Sequence, residues 1–375
     1  MRHEFPVTSR CVYLNHAAVA PWPRRVRDAV VQFAEQNLNE GASHYGNWTA
    51  VERSVREQAA QLINATNADD IALLKNTSEA LSVVAYGFPW QHGDNVVIAD
   101  EEFPSNRIVW ESLRDRGVTV REVRLRDQPD PERALLDAAD ARTRLLSVSS
   151  VQYASGLRMD LTRLGGACRT RGIAFCVDAI QGLGAIAHDV EAMHIDFLMA
   201  DAHKWLLGPE GIALFYCRPE WRERLALFQY GWRMIADVGN YDRRDWRPAD
   251  SARRFECGSP NMLGIHALNA SLSLLLEVGI DVIEQRVLNR AHRLFSEIGA
   301  RPGLELLTST DSGRYAGIVT FRVRNRDSQA LWRHLTEHKV VCAVRGGGIR
   351  FSPHCYIPEP QLEESLKLVD AFIAA

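Results

Sequence analysis

ADAHKWLLGPEG, residues 200–211, decides how the chain is read. It follows IDFLM, residues 195–199, whose mostly apolar composition marks a buried strand. Lys204, with His203 directly before it, stands at the exit of that strand, as either a solvated end-of-strand charge or a working amine. Trp205, Leu206 and the turn-like Leu207-Gly208-Pro209 give it apolar neighbours. Burial among such groups disfavours the ammonium form and lowers a lysine's pKa. The free amine is then able to form a Schiff base with an aldehyde.

The strand is one of a series. From about residue 70 to 217, short apolar runs alternate with helical stretches, which predicts an α/β fold with a mostly parallel sheet covered by helices. The predicted strands are 71–75, 95–99, 119–123, 145–148, 174–177, 197–200 and 212–216. Catalytic groups in such sheets gather at the carboxyl edge. Beyond Tyr216 the chain is irregular and rich in Trp, Arg and Asp through about Arg254. Tyr230, Trp232, Arg233, Tyr241 and Trp246 in that stretch read either as the lining of a substrate entrance or as a surface loop with a few anchors. RFECGSPNMLG, residues 254–264, leads into a single long helical run at about 264–298. A strand at 318–323, a helix at about 328–338, three glycines at 346–348 and a closing helix near 360–373 complete a smaller α+β domain.

Composition bounds the partners. At 375 residues, about two domains are expected, and 46% hydrophobic with 24% charged residues is ordinary for a globular protein. A net charge of -3 gives no reason to expect nucleic acid or an anionic membrane. No apolar run reaches about 18 residues, and MRHEFPVTSR lacks the apolar core of a signal peptide. The 7 cysteines are odd in number and never form a CxxC pair, so reduced thiols in the cytoplasm are expected.

Two further stretches carry candidate chemistry. In KNTSEALSVVAYG, residues 75–87, a strand end is followed by Asn76-Thr77-Ser78 and an apolar helical pattern, with Thr77 or Ser78 as the predicted N-cap. Such a helix start either is simply capped or holds a phosphate. In AFCVDAIQGLG, residues 174–184, Asp178 ends an apolar strand. It reads as the cap of a following helix or as the partner of a cation, since an unpaired buried carboxylate is costly.

The order of Thr77-Ser78-Glu79, Asp178-x-x-Gln181 and His203-Lys204-Trp205 with GPEG resembles the class V aminotransferase family of fold-type I pyridoxal-5'-phosphate (PLP) enzymes. That family includes cysteine desulfurases, kynureninases and isopenicillin N epimerases. The resemblance runs from VYLNHAAVAP, residues 12–21, to IRFSPHCYIP, residues 349–358. It implies a large domain with a mostly parallel seven-stranded sheet at residues 21–254. A smaller α+β C-terminal domain would occupy 255–375, and an N-terminal segment at 1–20 would join the smaller domain and the active site. By the same resemblance Lys204 is the lysine that holds PLP, Asp178 pairs with its ring nitrogen, and Gln181 lies near its phenolic oxygen. Thr77, Ser78 and His203 match phosphate-binding positions. Ser259 in CGSPN matches a residue donated across the interface of a homodimer. Phe103 in EEFPSN, residues 101–106, takes the place of a stacking histidine, which keeps an aromatic face and loses an imidazole. Arg350 matches the residue that binds the substrate α-carboxylate; His16 and Ser150 fall on the substrate side as well. No metal site is expected.

Departures from the family narrow the reaction. Desulfurases carry a nucleophilic cysteine on a loop shortly before the carboxylate-binding arginine. Here that region is VCAVRGGGIRFSP, residues 341–353, where the loop is short and Cys342 lies in an apolar run. A buried strand thiol is unreactive, so no persulfide-carrying cysteine is expected. Ser150 replaces an asparagine, and Asp201 replaces a serine that touches phosphate. A carboxylate there must be turned away or held, so Asp201 is expected to orient or cap. The resulting expectation is a PLP-dependent enzyme acting on an amino acid, first a C–S or other β-elimination lyase. The alternatives are an aminotransferase or epimerase, or a catalytically silent scaffold.

Overall fold

The computed structural model describes residues 2–126 and 128–375. The chain opens with a short strand, β1 (Val12–Tyr13), and two long helices, α1 (Arg24–Glu40) and α2 (Tyr45–Leu62). Next come β2 (Ile71–Leu74), α3 (Thr77–Gly87), β3 (Asn95–Ala99), α4 (Ser105–Glu111), β4 (Thr119–Val123) and α5 (Pro131–Asp137). The central sheet is completed by β5 (Thr143–Ser149), β6 (Ala174–Asp178), β7 (Phe197–Asp201) and β8 (Ala213–Cys217), with α6 (Leu161–Arg171) between β5 and β6.

These strands form one seven-stranded sheet in the order β2-β8-β7-β6-β5-β3-β4. Only β8 runs against its neighbours; the other pairs are parallel. The predicted strands 95–99 and 119–123 coincide with β3 and β4, and the rest agree within two residues. The reason is physical: NVVIA, AFCVD and ALFYC are buried along their whole length, because both faces of the sheet are covered. Successive side chains point to opposite faces, so Val97, Leu146 and Phe175 feed one core, and Val96, Leu145 and Cys176 the other.

After the short α7 (Pro219–Arg222), the chain continues with α8 (Met262–Val278), α9 (Ile280–Gly299), β9 (Leu304–Leu306) and β10 (Val319–Val323). It ends with α10 (Ser328–Glu337), β11 (Val340–Val341), β12 (Ala343–Arg345), β13 (Gly348–Phe351) and α11 (Glu359–Ala374). The predicted single run 264–298 is corrected to two helices. Gly279 between them has φ 85, in the left-handed region open to glycine, and the axes bend by 82°. Helix α8 packs on α1 and α2, whereas α9 packs on β9 and β10. Strands β12-β13-β10-β9 make a smaller antiparallel sheet. β1 pairs in parallel with β11 in a separate two-stranded sheet, and Asn15 bridges Ser352 just after β13, so the N-terminal segment is stitched to the C-terminal part of the chain before it reaches the cavity. Among the described residues no single helix is long and apolar enough to cross a membrane.

Candidate active site

The carboxyl ends of β2, β3, β5, β6 and β7 open into one cavity of about 230 Å³. Thr77 and Ser78 enter it after β2, Phe103 and Ser105 after β3, and Tyr153 after β5. Asp178 and Gln181 follow β6, Asp201, His203 and Lys204 follow β7, and Arg345 and Arg350 close it from the smaller sheet. Strand ends supply these groups because a parallel sheet delivers every loop of one edge to the same place.

Lys204 is 9% exposed. Burial pulls its pKa down to about 8, assisted by the cations Arg350 and Arg345 and opposed by Asp178 and Asp201. Its Nζ lies 5.6 Å from the centroid of the Phe103 ring, which meets Tyr153 edge-on at 5.2 Å. The lysine's backbone is held through its neighbour. Trp205 is fully buried, its Nε1 donates to Gln181 Oε1 at 3.1 Å, and Gln181 Nε2 donates to the Ala17 carbonyl at 3.0 Å. His354 Nε2 donates to the Trp205 carbonyl at 3.2 Å.

Asp178 is buried at the end of β6, where a carboxylate oxygen accepts from the Ile180 amide at 3.0 Å. No helix follows β6 directly, so its reading as a helix cap falls away. Burial raises its pKa to about 6, and the Lys204 charge opposes that rise. Arg350 is 2% exposed; its Nη1 donates to the Tyr153 carbonyl at 2.8 Å and its Nε is buried without a partner. Burial first, then Arg345, lowers its pKa to about 10. A buried guanidinium that lines the cavity with no carboxylate partner among the described residues suits an incoming carboxylate.

Asp201, the least expected residue of the stretch, lines the cavity and at the same time serves α3. Its Oδ1 accepts from the Thr77 amide at 2.8 Å, and its own amide donates to Thr77 Oγ1 at 3.1 Å. The N-cap of α3 is Asn76, not Thr77 or Ser78: Asn76 Oδ1 accepts from the Glu79 amide at 2.8 Å. Thr77 and Ser78 begin the helix instead, and Ser78 Oγ donates to Ser105 Oγ at 2.8 Å. His203 is held neutral, its pKa lowered to about 4 by burial and then by Lys204.

Three candidates lie outside this lining. His16 is buried one residue before the cavity: its Nδ1 donates to the Ser352 carbonyl at 2.8 Å, and its Nε2 accepts from Tyr356 at 2.6 Å. Ala17 and Ala18 line the cavity in its place. Ser150 lines a separate cavity beside His188 and Arg158. Ser259 faces another one, with Lys75, Glu79 and Gly211. Of the five residues read as an entrance or as a loop with a few anchors, Arg233 is an anchor, in a buried ion-pair cluster with Glu52, Arg56 and Glu256, because a buried guanidinium needs carboxylates. Tyr230, Trp232, Tyr241 and Trp246 pair as exposed rings away from the lining.

Ser105, Tyr153 and Arg345 were not singled out from the sequence. Ser105 lies within EEFPSN, two residues after Phe103, and the other two are ordinary residues brought in by the fold. Glu102 was also passed over. It is buried and accepts from the Ser149 amide and hydroxyl, Gln152 and Asn106, fixing the loop that ends in Phe103. No cysteine lines the cavity; Cys342 is buried between β11 and β12, and burial pushes its thiol up to about 12.

A mostly parallel α/β sheet with a buried lysine and carboxylate at its carboxyl edge defines a fold-type I PLP enzyme. The sequence profile of the family described as Aminotransferase class-V matches residues 12–360, and the chain belongs to that family. A "Probable cysteine desulfurase" of Methanothermobacter thermautotrophicus is 32% identical over 366 residues, covering 96% of this chain and 88% of that one. A cysteine desulfurase of Escherichia coli O127:H6 is 29% identical over 375 residues, with 96% and 89% covered. Two crystal structures share the fold. The Escherichia coli cysteine desulfurase CsdA has a TM-score of 0.88 at 24% identity, covering 100% of this chain and 97% of that one. C-DES, a cystine C–S lyase in complex with its product cysteine persulfide, has 0.91 at 22%, covering 98% and 99%. The chain is thus a PLP-dependent enzyme. Its residues suit that cofactor: a buried Asp178, a buried lysine with a lowered pKa and the hydroxyls of Ser78 and Ser105 line one cavity.

Proposed function

We propose that this enzyme is a lyase that eliminates a β-substituent from an amino acid, with C–S cleavage of a cysteine-type substrate foremost, and that it uses no persulfide-carrying cysteine. One observation carries the reading: the cavity unites Lys204, Asp178 and Arg350 and contains no thiol. Kinship with cysteine desulfurases, and likeness in fold to a cystine C–S lyase, support sulfur chemistry.

When bound, PLP supplies an electron-withdrawing ring that stabilises the carbanion left by loss of the Cα proton. Asp178 would hold the ring nitrogen protonated, with Gln181 at the phenolic oxygen and the Phe103 face packed on the ring. Thr77, Ser78 and His203, with Ser105 beside them, would hold the phosphate, together with Ser259 of a second copy in a homodimer. Arg350 would bind both oxygens of the substrate carboxylate and so present the Cα–H bond to Lys204. Lys204, whose amine is neutral over much of the range near its pKa of about 8, would remove that proton and return it to the β-elimination product. The division into a large domain at 21–254, a small one at 255–375 and a joining segment at 1–20 is part of the same reading. So is a cytoplasmic location, supported by seven free cysteines.

The test is to supply cysteine, cystine and cysteine conjugates to the holoenzyme and follow pyruvate, ammonia and released sulfide. Stoichiometric pyruvate and ammonia are expected. Conversion of the cofactor to its amine form without ammonia would replace this reading by an aminotransferase, and loss of stereochemistry alone by an epimerase.

A further inference from the structure

The start of α3 is committed before any anion arrives. The Glu79 amide is taken by Asn76 and the Thr77 amide by Asp201, while Thr77 Oγ1 accepts from the Asp201 amide and keeps its own O–H to donate. What this end of the cavity leaves for an anion is the Thr77 hydroxyl, Ser78, Ser105 and His203, and these stand around a carboxylate. The other charged groups near Asp201 are few. Lys204 and His203 lie on its own turn, the latter with Nδ1 3.7 Å from Asp201 Oδ2. Asp178 faces it from β6, and Glu210 from beyond the turn. From the end of β2 and from α3 come Lys75 and Glu79, whose carboxylate is turned to the Lys75 amide. Lys204 is shared with Asp178, so it does not neutralise both. An ionised Asp201 beside a phosphate dianion is therefore a repulsive pair in a partly dry site.

We infer that Asp201 is a proton-linked positioning residue for the cofactor: it keeps Thr77 bound to β7, and it takes up one proton from solvent when a phosphate ester settles beside it. The inference rests on PLP occupying this cavity. The proton goes to Oδ2, because Oδ1 is already accepting from Thr77. Burial has moved Asp201 most of the way, raising its pKa to about 6 before any ligand adds its own charge. The phosphate then meets a carboxylic acid rather than a carboxylate, and cofactor binding weakens as pH rises.

The probe is 4-deoxypyridoxine 5'-phosphate, which keeps the ring and phosphate but lacks the aldehyde that reacts with Lys204. Full-length apoenzyme is titrated with it for wild type, Asp201→Asn, which keeps an acceptor for the Thr77 amide, and Asp201→Ser, a second uncharged variant. Because binding that requires one proton loses up to about tenfold in affinity per pH unit, the wild-type dissociation constant is expected to rise at least about tenfold more than that of either variant between about pH 6.5 and about pH 8.5. Comparison with the variants cancels the titration of the ligand itself, and repeating the series in a Lys204→Ala background removes that of Lys204, which the Asp201 charge raises. Parallel profiles, or weaker binding by both variants at every pH, would overturn the inference. Failure of wild type to bind the probe at any pH would bring down the cofactor site together with it.

Discussion

Arg350→Met is expected to make the substrate-free enzyme more stable while disabling it. The guanidinium is 2% exposed, has no carboxylate partner among the described residues, and is lowered to about 10 by burial. The gap from the ordinary guanidinium value, at about 1.4 kcal/mol per pH unit, comes to roughly 3 kcal/mol of strain on the charged form. Because the folded pKa is depressed and neutral pH lies below both values, the whole penalty is present at pH 7. Methionine has a similar length and needs no anion, and replacing buried ions with apolar groups of similar volume is often stabilising. At about 2.1 cal/mol/K per residue, a chain of 375 residues gains roughly 4 °C in melting temperature from about 3 kcal/mol. Substrate loses two charge-assisted hydrogen bonds at about 1.5 to 2 kcal/mol each, so kcat/KM falls by about 10² to 10³. Calorimetry of the holoenzyme without substrate and steady-state kinetics measure the two halves. A melting temperature that falls by several degrees with kcat/KM barely changed would show that Arg350 is a structural cation, and the carboxylate role would be abandoned.

Other expectations follow from single groups. Lys204→Ala should abolish turnover and the visible absorption of lysine-bound cofactor while leaving the far-ultraviolet circular dichroism intact; persistence of that absorption would mean another amine holds the cofactor. Covalent capture of PLP by apoenzyme should accelerate with pH up to about 8 and then level off, because only neutral Lys204 attacks and burial lowers its pKa to that value; a stopped-flow rate independent of pH would remove Lys204 from the step. Cys342→Ser should leave sulfide release within about twofold of wild type, since a thiol pushed up to about 12 is protonated at working pH, whereas a hundredfold loss would restore a persulfide mechanism. Glu102→Gln places an amide donor against four donors from Ser149, Gln152 and Asn106, and should cost about 2 to 4 kcal/mol in denaturant unfolding.

The sheet was legible because its strands are buried on both faces, which leaves β3, β6 and β8 as nearly continuous apolar runs. The break at Gly279 was not, since one glycine inside a long apolar periodicity reads as tolerated until its positive φ is seen. Lys204 and Asp178 could be found because a charge at the exit of an apolar strand is costly and asks for a reason. Ser105, Tyr153 and Arg345 carry no such local anomaly; only the convergence of distant loops makes them neighbours. Asp201 and Thr77 answer each other across 124 positions, a pairing no spacing announces. His16 lies in the segment that reaches the cavity, but its ring bonds Tyr356 while the neighbouring Ala17 and Ala18 line the cavity, an alternation of side chains that sequence does not announce.

The hairpin joining β12 to β13 has only Gly346 and Gly347 at its tip, both at positive φ. A fully stretched chain advances at most about 3.6 Å per residue, so two glycines reach roughly 7 Å. That is an edge, not an arm: it has no length with which to ferry a reaction product from the cavity to a waiting acceptor. On the proposed reading, with no carrier thiol, a sulfur product would leave the cavity by diffusion, and its destination would be set by what is dissolved nearby.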